Sequence, residues 1–226
     1  MKVTLGNLIK LAVNTVTGVF INAKAAELTK NNEKVKLNLG CGSDIKDGWI
    51  NIDYIGAQFL NVNLSKGDIK KIYKYDCSIG LFLKKNSADV IYSSHFFEHL
   101  RTKDAMRLFK QSYSILKPGG IFRIALPNVV PDMRKLLNNE FTDEDRALMT
   151  EKRTMFRLEG KPNDIDYLNY MVFQYDEHKY VYTPQKIIDI LEYVGFKDVR
   201  QVEFNKEYDL DWEIRRRGSF YVEGIK

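Results

Sequence analysis

Short runs of apolar and polar residues follow one another along most of the chain, and their period changes from segment to segment. Val35 to Leu39, Trp49 to Asp53, Ile72 to Asp76, Asp89 to Ser93 and Ile121 to Leu126 read as extended. Lys103 to Leu116 and Pro184 to Val194 read as helices, with Thr102 and Thr183 at their N-caps and Gly119 and Gly195 just past their ends. Strands alternating with helices predict an α/β fold, a parallel sheet with helices on both faces.

A different period opens the chain. Leu5, Leu8, Ile9, Ala12, Val16, Val19, Phe20 and Ala23 recur at three- and four-residue steps and share one face of a helix, with Asn7, Lys10, Asn14 and Asn22 largely off it. Only Lys10 and Lys24 charge the polar side, too few for a helix that lies on lipid. The stripe is therefore expected to dock on its own domain or on a second copy of the chain. Lys30 to Lys34 is a polar linker, which divides the sequence into an N-terminal helix at 1–34 and a main domain at 35–226. Between Pro127 and Lys179 the pattern turns helical and highly charged, including Asp143 to Arg146 and Met149 to Arg157. An insertion over about 128–178, following a core strand, predicts a helical lid above the carboxyl edge of the sheet.

Composition adds limits. A chain of 226 residues with 44% hydrophobic content can bury a full core as one domain with additions. No run of 18 apolar residues occurs and no secretory pattern opens the sequence, so no transmembrane segment and a cytoplasmic location are expected. Cys41 and Cys77 have no paired spacing, and neither a disulfide nor a metal site is expected. The net charge of +5 is mild and interspersed; Arg215-Arg216-Arg217 reads as a solvated face.

The chemistry is concentrated in KLNLGCGSDIKDGWINIDY, Lys36 to Tyr54. Gly40 and Gly42 directly after a strand let main chain approach a ligand and tolerate positive φ. The dinucleotide fingerprint requires a third glycine and an acid about 20 residues on. Here the third glycine is missing, and Asp53 follows Gly42 by 11 residues, room for a turn but not for a helix to seat a pyrophosphate. An acid ending the second strand can accept from both hydroxyls of a ribose. An adenosine without a diphosphate is the ligand that fits, and S-adenosylmethionine is such a ligand.

Four segments in order, LNLGCGSDIKDGWINIDY at 37–54, YDCSIGLFLKKNSADVIYSSHFFEHL at 75–100, LKPGGIFRIALPN at 116–128 and HKYVYTPQKIIDILEYVGFKDV at 178–199, resemble the class I S-adenosylmethionine-dependent methyltransferases, in particular the predicted type associated with bacterial surface-polysaccharide clusters. The resemblance implies a Rossmann-like, mostly parallel seven-stranded sheet. It implies that Gly40, Cys41 and Gly42, with Asn38 and Ser43, line the methionine and ribose, that Asp53 with Tyr54 holds the ribose, and that Asp76 and Cys77 flank the adenine. Ser93, Ser94 and His95 would lie beneath the sulfonium. Asn38 stands where many of these enzymes carry an acid, and Asp44 where a small residue is common.

Methyl transfer to a hydroxyl needs alignment and a base. His95, past a strand end, is the first candidate and His178, where the insertion rejoins the core, the second; His99 reads as structural. The expected acceptor is a hydroxyl of a small molecule or glycan. Three alternatives remain: a cofactor-binding scaffold without catalysis, suggested by Asn38 and Asp44; a nucleic-acid methyltransferase, against which no RNA-binding module is found; and a nicotinamide oxidoreductase, against which the glycine spacing argues.

Overall fold

The computed structural model describes residues 5–54, 65–147 and 163–226. One sheet contains β1 (Lys36–Leu39), β2 (Ile50–Asp53), β3 (Ile72–Lys74), β4 (Ala88–Ser94), β5 (Leu116–Pro127), β6 (Lys197–Val202) and β7 (Ser219–Ile225). Their order is β3-β2-β1-β4-β5-β7-β6. The first five are parallel, and β7 runs antiparallel to both β5 and β6. This is the seven-stranded, mostly parallel α/β sheet that was expected. The chain steps outward from β1 to β3 and then returns to lay β4 beside β1. That reversal makes the carboxyl ends of β1 and β4 a topological switch point, the place where open α/β sheets bind ligands.

The helices are α1 (Leu5–Lys30), α2 (Lys66–Ile69), α3 (Thr102–Ile115), α4 (Val130–Asn138), α5 (Asp143–Ala147), α6 (Asp164–Phe173), α7 (Pro184–Val194) and α8 (Glu213–Gly218). Ile21 and Leu28 of α1, Leu108 and Phe109 of α3 and Ile187 and Leu191 of α7 share one core with Leu37, Ile52, Ile91, Phe122 and Val222 of the sheet. The opposite face carries a polar row instead, Asn51, Asn38, Tyr92, Arg123 and Glu223 lying side by side across five strands. Arg123 is 1% exposed and pairs there with Asp209 and with Glu223 at 2.7 Å. Trp49 packs edge-on against Tyr92 and Tyr208 over the same row. A polar face can be buried because its members satisfy one another.

Thr183 caps α7 by accepting from Lys186 N, and Gly195 ends it in the left-handed conformation, as the sequence predicts. At α3 the cap is Arg101, with Thr102 already helical, and Gly119 falls inside β5 because the strand starts directly after the helix. Of the charged insertion, α4 and α6 pack together, and the Asn163–Asp166 capping box starts α6. The run Met149 to Arg157 lies outside the described residues. Among the described residues no helix is long and apolar enough to cross a membrane.

The long N-terminal helix docks on its own domain through a different face from its apolar stripe. Its contact with its own domain is made by the face that carries Lys10, Asn14 and Asn22. Asn14 Nδ2 donates to the Asp76 carbonyl and its Oδ1 accepts from Asp76 N, both at 2.9 Å; Asn22 Oδ1 accepts from Lys84 N at 2.8 Å. Leu5, Leu8, Ile9, Val16, Val19 and Phe20 of the apolar stripe are exposed. The docking face joins Ile21, Ala25 and Leu28, which enter the core, to asparagines bonded to main-chain groups, a combination that hydropathy does not register.

Candidate cofactor and acceptor site

Gly40 leaves β1 at φ 63°, and a Cβ there would sit 2.2 Å from Cγ of Phe96, so only glycine fits. Gly42 also has positive φ, but a Cβ on it would meet nothing within 4 Å: the chain is bare toward open space at this point. Its N–H donates to Asp53 Oδ2 at 2.6 Å, which ties the turn to the end of β2. Burial raises the Asp53 pKa above the usual carboxylate range; the Gly42 and Tyr54 N–H groups oppose the rise and the Asp76 charge adds to it. A desolvated carboxylate whose donors are backbone N–H groups, beside a glycine cradle, fits a ligand that brings vicinal hydroxyls.

Asn38 lies behind the glycine turn and bonds to it. It is 1% exposed, and its Nδ2 donates to the Asp44 carbonyl at 2.7 Å and to Asn51 Oδ1 at 3.1 Å. The two departures from the family pattern are thus partners, and together they fix the turn from below. Asp44 pairs in addition with Lys46 at 2.9 Å. Ser43 is exposed, and Cys41 is buried with its thiol pKa pushed up, first by burial and then by Asp53 and Asp44.

Asp76 ends the stretch after β3 but is 5% exposed, and its carboxylate is taken by Lys10 Nζ at 2.7 Å and by Ser78 N at 2.9 Å. Lys10 also lies over the Tyr54 ring, 4.7 Å from its centroid. Asp76 thus anchors α1 at the end of this stretch. Cys77 is fully buried, and burial raises its thiol well above the ordinary value. Ser93 is also committed, its hydroxyl donating to the Leu39 carbonyl at 3.0 Å to strap β4 to β1.

Past β4, Ser94 is half-buried and His95 takes a left-handed backbone, φ 48°, which is uncommon for a side chain of this size and costs of order 1 kcal/mol. Its Nε2 lies 2.7 Å from Ser219 Oγ and its Nδ1 3.5 Å from Glu98 Oε1. Burial holds its pKa well below the ordinary histidine value, helped by the charges of Arg215, His178 and His99. The ring is thus neutral and braced. A 3-10 turn, Phe97–His99, follows, and the returning chain bonds to it: Lys179 N and Tyr180 N donate to the Glu98 carbonyl at 2.6 and 3.3 Å. This tie brings His178 over His99, ring centroids 4.9 Å apart. Tyr170 and Tyr175 of the expected aromatic group stack edge-on within the insertion, 5.6 Å apart.

Three residues at this end escape a reading of the sequence. Ser219, at the start of β7, braces His95; Glu98 lies buried beneath it; and Arg215 of α8 turns inward, its pKa lowered by burial against the pull of Glu98, Tyr92, Asp44 and Tyr170. Arg216 and Arg217 do form a solvated face, pairing with Asp211 and Glu213 at 2.9 Å.

A family model described as a methyltransferase domain matches residues 19–201. No curated protein matches the sequence. Among solved structures, the chain is similar to a SAM dependent methyltransferase from Archaeoglobus fulgidus, with 19% identity over 91% of this chain and 94% of that one, TM-score 0.50. It is similar to a possible exported protein from Bordetella parapertussis, with 17% identity over 85% of this chain and 61% of that one, TM-score 0.50. A third is PigF with SAH, at 15% identity over 85% of this chain and 50% of that one, TM-score 0.50. Likeness at these identities bears on the fold.

Proposed function

Because the chain belongs to the methyltransferase-domain family, we propose that it transfers a methyl group from S-adenosylmethionine to a hydroxyl of a small or glycan-type acceptor. The cofactor supplies an electrophilic methyl on a sulfonium; the oxygen–methyl bond forms as the sulfur–methyl bond breaks, and the acceptor's proton must be taken up. Gly40 and Gly42 give the cofactor room, Asp53 accepts from its ribose, and Tyr54 flanks it. His95 takes the acceptor's proton, held in register by Ser219. The inserted helices, with His178, cover the acceptor, and Arg215 gives that side a positive group for an acceptor bearing an anionic substituent.

One observation carries this reading: a neutral imidazole, His95, held in left-handed backbone at the switch point beside the Gly40–Asp53 cradle. The test is incubation of the full chain with S-adenosylmethionine and panels of sugars, hydroxylated small molecules, amines and RNA, with products read by mass spectrometry. Methylated hydroxyls, formed about 100-fold more slowly by His95→Ala at unchanged cofactor affinity, are expected. Methylation confined to amines or RNA overturns the acceptor assignment. Full turnover in His95→Ala with loss in His178→Ala moves the base to the insertion.

A further inference from the structure

Glu98 is 2% exposed, and neither of its carboxylate oxygens has a hydrogen-bond partner. Burial with so little compensation raises its pKa to about 8. A buried acid in this state requires a proton, a cationic partner or a ligand.

Besides His95 Nδ1, 3.5 Å from Oε1, its surroundings supply two further ring nitrogens. Glu98, His99 and His178 present ligand atoms that all lie within 4.8 Å of one another. His178 Nδ1 lies 3.0 Å from the Met171 carbonyl, so the proton sits on that nitrogen and Nε2 keeps its lone pair. His99 is hydrogen-bonded to the main chain of Glu177. A main-chain carbonyl holding one ring nitrogen is how ligating imidazoles are commonly oriented. Both rings are neutral: burial lowers the pKa of His99 to about 4 and lowers that of His178 as well. Arg215 and Glu177 also face the group, one positive and one negative.

We propose that Glu98, His99 and His178 bind a divalent first-row transition-metal cation on the acceptor side of the switch point. Two imidazoles and one carboxylate favour Zn²⁺, Mn²⁺ or Fe²⁺ over Mg²⁺ and Ca²⁺, which take oxygen ligands. Metal–ligand bonds of about 2.0–2.2 Å put ligand atoms roughly 3–3.5 Å apart, a closure that side-chain rotation supplies. Three protein ligands leave coordination positions for an oxygen of the acceptor. That role rests on the methyl-transfer reading; the binding of the ion does not. A sequence reading overlooks this site because Glu98-His99 and His178 lie far apart in the chain and meet only through the main-chain tie at Glu98.

The test titrates Zn²⁺ and Mn²⁺ into the chelator-treated full chain by calorimetry and measures S-adenosylmethionine affinity on the same samples. One ion per chain is expected, with binding at least about 100-fold weaker in Glu98→Gln and in His178→Asn and the circular dichroism unchanged. His178→Asn decides if Glu98→Gln does not fold. No ion bound by the wild type, or equal binding by the variants, overturns the site. Cofactor binding without metal binding refutes only this inference. Metal binding without cofactor binding supports it and refutes the methyl-transfer reading.

Discussion

Asp53 and Asp76 close off neighbouring strands of the same sheet, and their sequence settings are alike: an apolar run, an acid, then a turn. Their fates differ. Asp53 accepts from Gly42 N at 2.6 Å, whereas Asp76 holds Lys10 at 2.7 Å and both its main-chain N–H and its carbonyl bond to Asn14. One carboxylate keeps a local partner, and the other is tied to a distant helix. What separates them is a partner 62 residues away, which no local pattern announces.

The sharpest way to break the contrast is Asp53→Ala. It removes the acceptor from the ribose and is expected to weaken S-adenosylmethionine by about 2 kcal/mol, roughly 30-fold, in calorimetry. Unchanged affinity would show that the two aspartates are equivalent after all. Asn14→Ala comes next: it leaves a buried N–H and carbonyl of residue 76 unpaired and should lower unfolding stability by about 1–3 kcal/mol in denaturant titration. Asp76→Asn keeps the Ser78 contact but drops the charge. It should shift cofactor affinity by less than about threefold, and a loss as large as that of Asp53→Ala would return Asp76 to the adenine. The smallest effect is that of Lys10→Ala, about 0.5 kcal/mol of stability, since this lysine is a third exposed and its attraction is screened.

Acidity sharpens the same comparison. The Asp53 pKa is raised in the fold, so on acidification it takes up its proton at a higher pH than a free aspartate, about 3.9. Cofactor affinity should hold a plateau at neutral pH and fall as pH drops through that raised value, and the Asp53→Ala protein should lack this descent. A profile common to both proteins would assign the titration elsewhere.

Legibility follows the range of the interactions. The glycine turn after β1 and the end of β2 at Asp53 could be read because a turn, a bare backbone and a strand end are local properties. The first five strands were legible for the same reason. The roles of Asn38 and Asp44 were not, since each looks like a lost function until their 2.7 Å contact is seen. Arg215 was hidden inside a triplet whose other two members do what charge runs usually do. The face by which α1 meets its domain was not legible, because bonds from Asn14 and Asn22 to main chain leave no mark in a hydropathy pattern.

The Asn14–Asp76 lock also sets an order of events as the chain is made. The 26 residues of α1 are synthesised before the sheet and are long enough to hold helical structure transiently on their own. Their partners at Asp76 and Lys84 arrive only 62 residues later, so closing the lock is a long-range step. Until then both faces of the helix lie open to water. A nascent chain paused between residues 30 and 76 therefore presents its stickiest surface at the moment it has no domain to rest on, and slowing translation there should raise aggregation more than slowing it after Lys84.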